Sequence, residues 1–251
     1  MATGQPYTRL IRRLESIDAL SEESRHFISQ LPMTVRSYKT NQDILREGDV
    51  PTQCCLVVDG YLCRHKIANG SKRQIISFHI PGDMPDLQSL HLTRLDHNIS
   101  TLGPATVAFI PHASLREMLP RSRELTHAFW RETLVDAAMF REWVVNLGQR
   151  EALARVSHIL CEMTLRLQAI GLARDFTFAL PWTQGDLGDA CGISPVHVNR
   201  VIQNLRARGA IEWHAKVIKI LHWEELKSIG DFSPEYLHLR GEHHDTRIEA
   251  D

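Results

Sequence analysis

Seven side chains between positions 183 and 203 are of the types that contact nucleic acid. The set is Thr183, Ser194, Val196, His197, Asn199, Arg200 and Gln203. An arginine fork can donate to O6 and N7 of guanine, asparagine or glutamine can pair with adenine, and a small apolar group can meet a thymine methyl. Hydroxyl groups at helix starts suit phosphate oxygens. Whether these groups can act together depends on the elements that carry them.

The spacing of these residues predicts two helices joined by a tight turn. Thr183 can cap a first helix over 184–190, and Ser194-Pro195 can provide the N-cap and first residue of a second helix that ends before Gly209. The inward side of the second helix is apolar, with Val198, Val201, Ile202 and Leu205. Its outward side carries Val196, Asn199, Arg200, Gln203 and Ala207. The second helix therefore presents most of the candidate base-reading groups to solvent.

Two β-prone runs follow, at 210–213 and 217–221, around the turn His214-Ala215-Lys216. They predict a wing beside the two helices. A winged helix-turn-helix favours the major groove of duplex DNA as the place of the second helix. The region 150–222 has nine Lys or Arg against six Asp or Glu, a slight basic excess. The alternative interpretation is a helical hairpin that packs on a protein partner, and the wing argues against it.

The spacing of apolar residues changes twice in the part of the chain that precedes these helices. Residues 1–30 have helical apolar spacing, whereas 31–120 contain short β-prone runs separated by turns, of which Asn69-Gly70 has the strongest hairpin signature. This pattern predicts an antiparallel β-roll. Between Ser122 and Gly148 the chain contains no Gly or Pro that would interrupt a helix. Its apolar residues would cover more of the helix surface than a single stripe. We expect a long helix there that packs on the β-domain and on a second copy of the chain.

Composition narrows the class of protein. At 251 residues the chain suits two modest domains, and its 43% hydrophobic and 24% charged residues are ordinary for a globular protein. No leader pattern is visible, and no apolar run approaches the roughly 18 residues of a membrane helix. Five cysteines without a C-x-x-C pair predict reduced core thiols and a cytoplasmic location. Redox sensing by Cys54, Cys55 or Cys63 is the open alternative.

Three segments of the β-domain precede the helix-turn-helix in a fixed order: 44–49 (ILREGD), 56–60 (LVVDG) and 81–83 (PGD). Together with 183–211 they make the chain resemble the Crp/Fnr family of bacterial regulators over about 33–221. The resemblance implies an α+β fold with an N-terminal antiparallel β-roll of the jelly-roll type, a long dimerisation helix and a C-terminal winged helix-turn-helix. The expected segments are N-terminal helices at 1–30, a cyclic-nucleotide-binding-like sensor at 31–120, the dimerisation helix at 121–148, the DNA-binding domain at 149–232 and a flexible tail at 233–251.

The chain departs from the family pattern at the places that hold an effector. Cyclic-nucleotide binders of the family use a Gly-Glu-Leu stretch and an Arg-Ser pair for ribose and phosphate, whereas this chain has DLQ at 86–88 and LDHN at 95–98. Carboxylates have the wrong sign for a phosphate, and Arg94 is the nearest cation. The oxygen-sensing branch uses an N-terminal cysteine cluster, but the first cysteine here is Cys54. In the second helix, Val196 replaces a Glu that many members place ahead of the arginine.

We therefore predict a non-enzymatic, sequence-specific transcription regulator that binds an inverted repeat as a dimer. The partners implied are double-stranded DNA, a second copy of the chain, RNA polymerase and an unidentified small-molecule effector other than cyclic AMP. No cofactor or metal site is predicted, because the histidines lack ligand spacing. An enzyme is not supported, since no nucleophile and base pair or phosphate loop is present. The rival hypothesis is a ligand-sensing module whose C-terminal domain contacts proteins.

Overall fold

The computed structural model describes residues 5–68 and 72–241 and has the predicted α+β architecture. Its helices are α1 Gln5–Glu15, α2 Glu22–Ser29, α3 His112–Met118, α4 Arg123–Gln149, α5 Ala152–Ala169, α6 Gln184–Cys191, α7 Pro195–Ala207 and α8 Trp223–Ile229. Its strands are β1 Thr34–Tyr38, β2 Asp43–Leu45, β3 Gln53–Asp59, β4 Leu62–Ala68, β5 Lys72–His79, β6 Asn98–Thr101, β7 Ala105–Pro111, β8 Thr177–Ala179, β9 Ile211–His214 and β10 Val217–Ile220. Three short 3-10 helices lie at Leu87–Leu90, Leu119–Arg121 and Glu235–Leu237.

Strands β1 to β7 form the β-roll in two antiparallel sheets. One sheet has the order β1-β7-β3 and the other β2-β6-β4-β5. Apolar residues of both sheets, among them Val57, Leu62 and Ile99, meet in a buried cluster. The turn after β5 contains Gly82 at φ 103°, where a β-carbon would lie 2.8 Å from the Arg9 carbonyl oxygen. Only glycine allows α1 to lie this close to the roll.

Helices α1 and α2 cover one side of the β-roll. Leu10 and Leu14 of α1 are buried in a core that includes residues of β3, β7 and the start of α4. The Arg9 Nε donates to the Val58 carbonyl at 3.2 Å. The Arg131 Nε of α4 donates to the carbonyl of Ile17 at 2.8 Å. The N-terminal helices are thus joined to both the roll and α4.

Helix α4 is 27 residues long, and its two sides differ. Ser122 precedes its first residue and caps the helix, because its hydroxyl accepts from the Leu125 amide. Residues that face the β-roll are buried, whereas Trp130, Leu134 and Val144 on the opposite side are more than half exposed. After Gln149 only Arg150 and Glu151 separate α4 from α5. Helix α5 is covered on nearly every side.

The β-roll and the winged helix share one hydrophobic core. Phe78 of β5 stacks on Trp182 with a ring-centroid distance of 3.7 Å and meets Trp143 of α4 edge-on at 5.4 Å. The Tyr61 hydroxyl donates to the Ala179 carbonyl across the same boundary. Because large apolar side chains of both halves are buried against one another, the two halves pack as one unit.

The prediction of a flexible tail is wrong for residues 233–241. Leu237 is 1% exposed, and the backbone amide of Arg240 donates to the Ser16 carbonyl at 2.7 Å. A segment of single turns has no apolar periodicity, so the pattern that predicts helices and strands does not detect it. Residues 242–251 and the turn at Asn69-Gly70 lie outside the described residues, whereas β4 and β5 on either side of that turn pair antiparallel as the hairpin prediction requires. None of the helices described spans enough apolar length to cross a membrane.

Candidate nucleic-acid interface

Helices α6 and α7 form the predicted helix-turn-helix. Helix α6 ends at Gly192, which has a left-handed conformation at φ 66° and turns the chain. Ser194 then caps α7, because its hydroxyl accepts from the His197 amide at 3.2 Å, and Pro195 is the first residue of the helix. The order and type of these elements confirm the fold predicted for this segment.

The two sides of α7 divide as the helical spacing predicts. Val198, Val201, Ile202 and Leu205 are buried against α5 and α6. Most of the candidate base-reading residues are on the exposed side, namely Val196, His197, Asn199, Arg200 and Gln203. Val196 is 64% exposed. The exposed side of α7 is therefore accessible to a partner without any rearrangement of the helix.

Arg200 lies beside an open groove of about 540 Å³ between α7 and the start of α5. His197 and Asn204 line the same groove, together with Arg155 and Glu151. The Arg155 side chain is already used within the protein, since it donates to the carbonyls of Arg150 and Cys191 at 2.7 and 2.8 Å. Arg200 is therefore better placed than Arg155 to contact a ligand on this surface.

Thr183 and Ser194 hold the starts of the two helices. The Thr183 hydroxyl accepts from the Asp186 amide at 3.0 Å, while the Asp186 carboxylate accepts from the Thr183 amide at 2.8 Å. This reciprocal pair is a capping box, and it places a carboxylate at the first turn of α6. A phosphate at this helix start would meet that negative charge, so the capping role predicted for Thr183 agrees with the structure better than a phosphate contact does.

The wing carries further exposed cations. Ala215 and Lys216 occupy the turn between β9 and β10 with φ values of 47° and 68°. Lys216, Lys219 and Arg208 are exposed, whereas acidic Glu162 and Asp186 of this domain are buried and paired with arginines. The exposed cations of the wing thus add to Arg200 on the surface of this domain, which also carries the exposed Glu151 and Glu212.

Sequence reasoning missed a link between the β-roll and α6. Arg73 of β5 donates to Asp186 Oδ1 and to Asp189 Oδ2, both at 2.7 Å, and Gln74 donates to the Asp189 carbonyl at 2.7 Å. The sequence signal for this link was a pair of aspartates three residues apart on a helix expected to lie near DNA. Such charges require a neutralising partner. Arg73 supplies it and fixes α6 to the sensor.

The space between the β-roll and α4 is small and is bridged by an ion pair. A cavity of about 150 Å³ lies there, and the Arg64 Nη1 donates across it to Asp136 of α4 at 2.7 Å. Asp86 is fully buried and accepts from the Cys55 amide at 2.7 Å, and burial raises its pKa to about 7. Arg94 is exposed and donates to the Gly48 carbonyl at 2.9 Å. The positions expected to hold a phosphate are thus buried or used elsewhere.

A network of buried charges connects the β-roll with both long helices. Arg166 of α5 donates to Asp83 at 2.6 Å and to Glu162 at 3.0 Å, and Arg13 of α1 pairs with Asp83 at 3.2 Å and with Glu132 of α4 at 3.0 Å. Burial would raise the pKa of Asp83, but the positive charges of Arg166 and Arg13 hold it well below its usual value. The pair Glu162 and Arg166, four residues apart on an apolar helix, was the sequence signal for this network.

All five cysteines are buried with free thiols. Burial raises the pKa of Cys63 and Cys191 to about 12, and that of Cys54, Cys55 and Cys161 is also raised by burial. The thiolate is the reactive form of cysteine, so these side chains are poorly suited to react. This supports the prediction of core thiols over that of a redox sensor.

Two family models match the chain. Residues 35–122 match the cyclic nucleotide-binding domain, and residues 154–229 match the Crp-like helix-turn-helix domain. The two matches together cover the β-roll and the winged helix, in the order that the turn motifs predicted.

Several known proteins are similar to this chain over most of its length. The transcriptional activator protein FnrA of Stutzerimonas stutzeri is 26% identical over 190 residues, which are 74% of this chain and 76% of the relative. The nitrogen fixation regulation protein FixK of Rhizobium meliloti (strain 1021) is 26% identical over 201 residues, covering 79% and 88%. The structure of FixK2 from Bradyrhizobium japonicum superposes with a TM-score of 0.72 at 24% identity, covering 79% of this chain and 98% of that one. That structural likeness speaks for the fold alone.

Proposed function

Because this chain belongs to the Crp/Fnr family of transcription regulators, we propose that it binds an inverted-repeat operator as a dimer through the exposed side of α7. The observation that carries the proposal is the exposed row of Val196, Asn199, Arg200 and Gln203 on a capped helix whose other side is buried. Such a helix has the shape and the side chains that major-groove readout needs. Double-stranded DNA is then the partner, and the protein works as a cytoplasmic regulator without enzymatic activity.

A stripe along α4 supports the dimer. Six exposed positions follow one another at alternating spacings of four and three: Trp130, Leu134, Ala137, Arg141, Val144 and Gly148. This is the repeat with which two helices pack in a coiled coil. Phe140 and Val145 flank the stripe and are 46% and 44% exposed. Pairing of two α4 helices would cover this surface, which we name the α4 stripe, and would place two α7 helices on one duplex.

The effector and RNA polymerase are further proposed partners. An effector would have to act through the sensor without the phosphate contacts that cyclic-nucleotide binders of the family use. Contact with RNA polymerase would follow from the role of a transcription activator such as the FnrA relative. DNA binding through α7 and dimerisation through α4 are inferred independently of both partners.

Cyclic AMP is expected not to bind with useful affinity. The cavity between the β-roll and α4 is about 150 Å³, below the roughly 300 Å³ at which ligand pockets begin. Asp86 is buried where a phosphate-holding group is needed, and Arg94 is turned to Gly48. Titration calorimetry of the purified protein with cyclic AMP should show no heat of binding. A dissociation constant in the low micromolar range, worth about 8 kcal/mol, would contradict this expectation.

Selection of binding sites from random duplexes tests the proposed function. We expect enrichment of an inverted repeat whose half-sites are one helical turn apart, roughly 34 Å. The selection should be run with and without cell extract as a source of effector. If neither condition enriches an inverted repeat, DNA reading by α7 is wrong, and the sensing module with protein contacts becomes the better hypothesis.

Arg200→Ala should cost roughly 1–3 kcal/mol on the selected operator and relax the preference at one base pair of each half-site. The physical reason is that the guanidinium can donate two hydrogen bonds to one base edge. This pair contributes more binding free energy than one hydrogen bond between neutral groups. Binding to operator and to scrambled duplexes should be measured side by side. Arg208→Ala, at the far end of the same helix, removes an equal charge and serves as the control. Equal weakening on every sequence by Arg200→Ala would mean that Arg200 contacts phosphate.

A further inference from the structure

We infer that residues 231–241 form a strap that fixes the DNA-binding domain to α4 and to the N-terminal helices. We name this segment the C-terminal strap. In it, Tyr236 and Arg240 act as positioning residues that determine which spacing between half-sites the dimer accepts. The effect on spacing rests on the proposed function, whereas the strap itself can be tested without DNA.

The joint between α4 and α5 is where a strap is needed. Only Arg150 and Glu151 lie between the two helices, and Arg150 has an extended backbone with φ −86° and ψ 147°. A joint of this length lets one domain turn relative to the other unless other contacts hold it. The first contact of the strap is at this joint, where the Arg150 Nη2 donates to the Asp231 carbonyl at 3.0 Å and forms an ion pair with Glu142 of α4 at 2.7 Å.

The middle of the strap is anchored in the protein interior. The Tyr236 hydroxyl donates to Glu162 Oε2 at 3.0 Å and lies 3.1 Å from the His158 Nε2, while its ring stacks on the His158 ring. Glu162 is 1% exposed and also accepts from Trp143 of α4 at 3.1 Å. Leu237, the residue after Tyr236, is also 1% exposed. A buried carboxylate with several donors ties the strap, α5 and α4 to one point.

The end of the strap reaches the other half of the molecule. The Arg240 amide donates to the Ser16 carbonyl and its Nη1 donates to the Asp18 carbonyl, both at 2.7 Å. These carbonyls belong to the turn between α1 and α2. The same turn accepts from Arg131 of α4 through the Ile17 carbonyl. The strap therefore leaves the winged helix, passes the joint and ends on the N-terminal helices.

Operator spacing follows from how firmly the domain is held. Two α7 helices of a dimer must enter two major grooves at a fixed separation, so each domain has to keep one orientation. A domain that turns about a joint of two residues can follow half-sites at several separations. The shared core around Phe78 and Trp182 and the Arg73 contacts with α6 already restrict that turning. The strap restricts it further, since it is attached on both sides of the joint.

Two truncations that differ by two residues isolate the last contact of the strap. Removal of 242–251 keeps Arg240 and is the control, whereas removal of 240–251 also deletes both hydrogen bonds to the turn between α1 and α2. Arg240 is exposed, so neither truncation empties a core and both should fold. Tyr236→Phe in the full-length chain is a third variant, which removes only the hydroxyl that Glu162 accepts from.

Hydrogen exchange measured by mass spectrometry without DNA gives the first result. Peptides from α5 and from the turn between α1 and α2 should exchange roughly fivefold faster after removal of 240–251. A factor of this size corresponds to the net free energy that one hydrogen bond contributes to stability. Tyr236→Phe should speed exchange in α5. Removal of 242–251 should leave both regions unchanged. Equal exchange in the two truncated proteins would overturn the strap.

Binding to duplexes with the selected spacing, and with two base pairs added or removed, gives the second result. The preference for the selected spacing should be the same in the parent and after removal of 242–251, and should fall by roughly fivefold after removal of 240–251. An unchanged preference would overturn the positioning role. If the parent protein selects no inverted repeat at all, the proposed function fails, and exchange alone decides whether the strap exists.

Discussion

Leu134→Glu is expected to convert the dimer into monomers and to lower its affinity for an inverted-repeat operator by about 10²–10⁴-fold, the gain that two linked binding sites usually supply. Leu134 is 54% exposed in the middle of the α4 stripe. In a paired stripe a glutamate would be buried opposite its copy, and two desolvated carboxylates at close range repel each other. Val145→Glu should act in the same direction from the flank of the stripe.

Light scattering and operator binding together test this prediction. The variant should scatter with the mass of one chain, and the unmodified protein with twice that mass at micromolar concentration. Val35→Glu is the matched control, because Val35 is 49% exposed on β1, away from α4. It receives the same charge at similar exposure and should remain dimeric. An unmodified protein that is monomeric at micromolar concentration would contradict the dimer.

Arg166→Leu should destabilise the protein by about 3–5 kcal/mol, the usual result of removing one partner from a buried ion pair. Arg166 is 2% exposed and neutralises Asp83 and Glu162. Without it Asp83 keeps Arg13 as its cation, whereas Glu162 keeps the neutral donors Trp143 and Tyr236. Urea unfolding measures the loss as a lower midpoint. Arg121→Ala is the control, since Arg121 pairs with Glu117 at 2.7 Å but both side chains are more than 60% exposed. An exposed pair of this kind contributes about 0–1 kcal/mol.

The same variant should show a changed response to pH. The pKa of Asp83 is lowered in the folded protein, so this group stabilises the fold above its unfolded pKa of about 3.9 and loses that contribution as the pH falls below it. Without Arg166 the buried carboxylate of Asp83 takes up a proton more readily, and its protonation at lower pH removes part of the destabilisation in the variant. The difference in unfolding free energy between parent and variant should therefore shrink between pH 6 and pH 4. A difference that stays constant over this range would mean that Arg166 acts by packing alone.

Local patterns in the sequence were enough to predict the elements around α7. Caps at Thr183 and Ser194, the glycine turn at Gly192 and the period of the buried residues are all decided within a few positions of the chain. The alignment of candidate base-reading residues on one side of α7 follows from that period alone. The same reasoning predicted the extent of α4, whose helix begins one residue after its cap at Ser122.

Contacts between distant parts of the chain could not be predicted in the same way. Arg73 reaches Asp186 across 113 positions, and Arg240 reaches Asp18 across 222. Each depends on how two domains dock, which no local period records. Residues 233–241 of the strap are predicted from the sequence as part of a flexible end, because a single buried tyrosine and leucine among turns give no periodic signal. Charged residues within apolar helices are the better indicator of such contacts, since a buried charge needs a partner.

The stacked pair Phe78 and Trp182 limits how such a protein can be divided. A fragment of the winged helix alone would present Trp182 and its apolar neighbours to water, and would tend to associate through that patch. Exchange of the sensor for another would face the same difficulty unless the incoming roll offered an aromatic residue at the place of Phe78. The two halves are therefore not freely interchangeable modules, and hybrids of this protein would have to preserve the aromatic contact at Phe78 and Trp182.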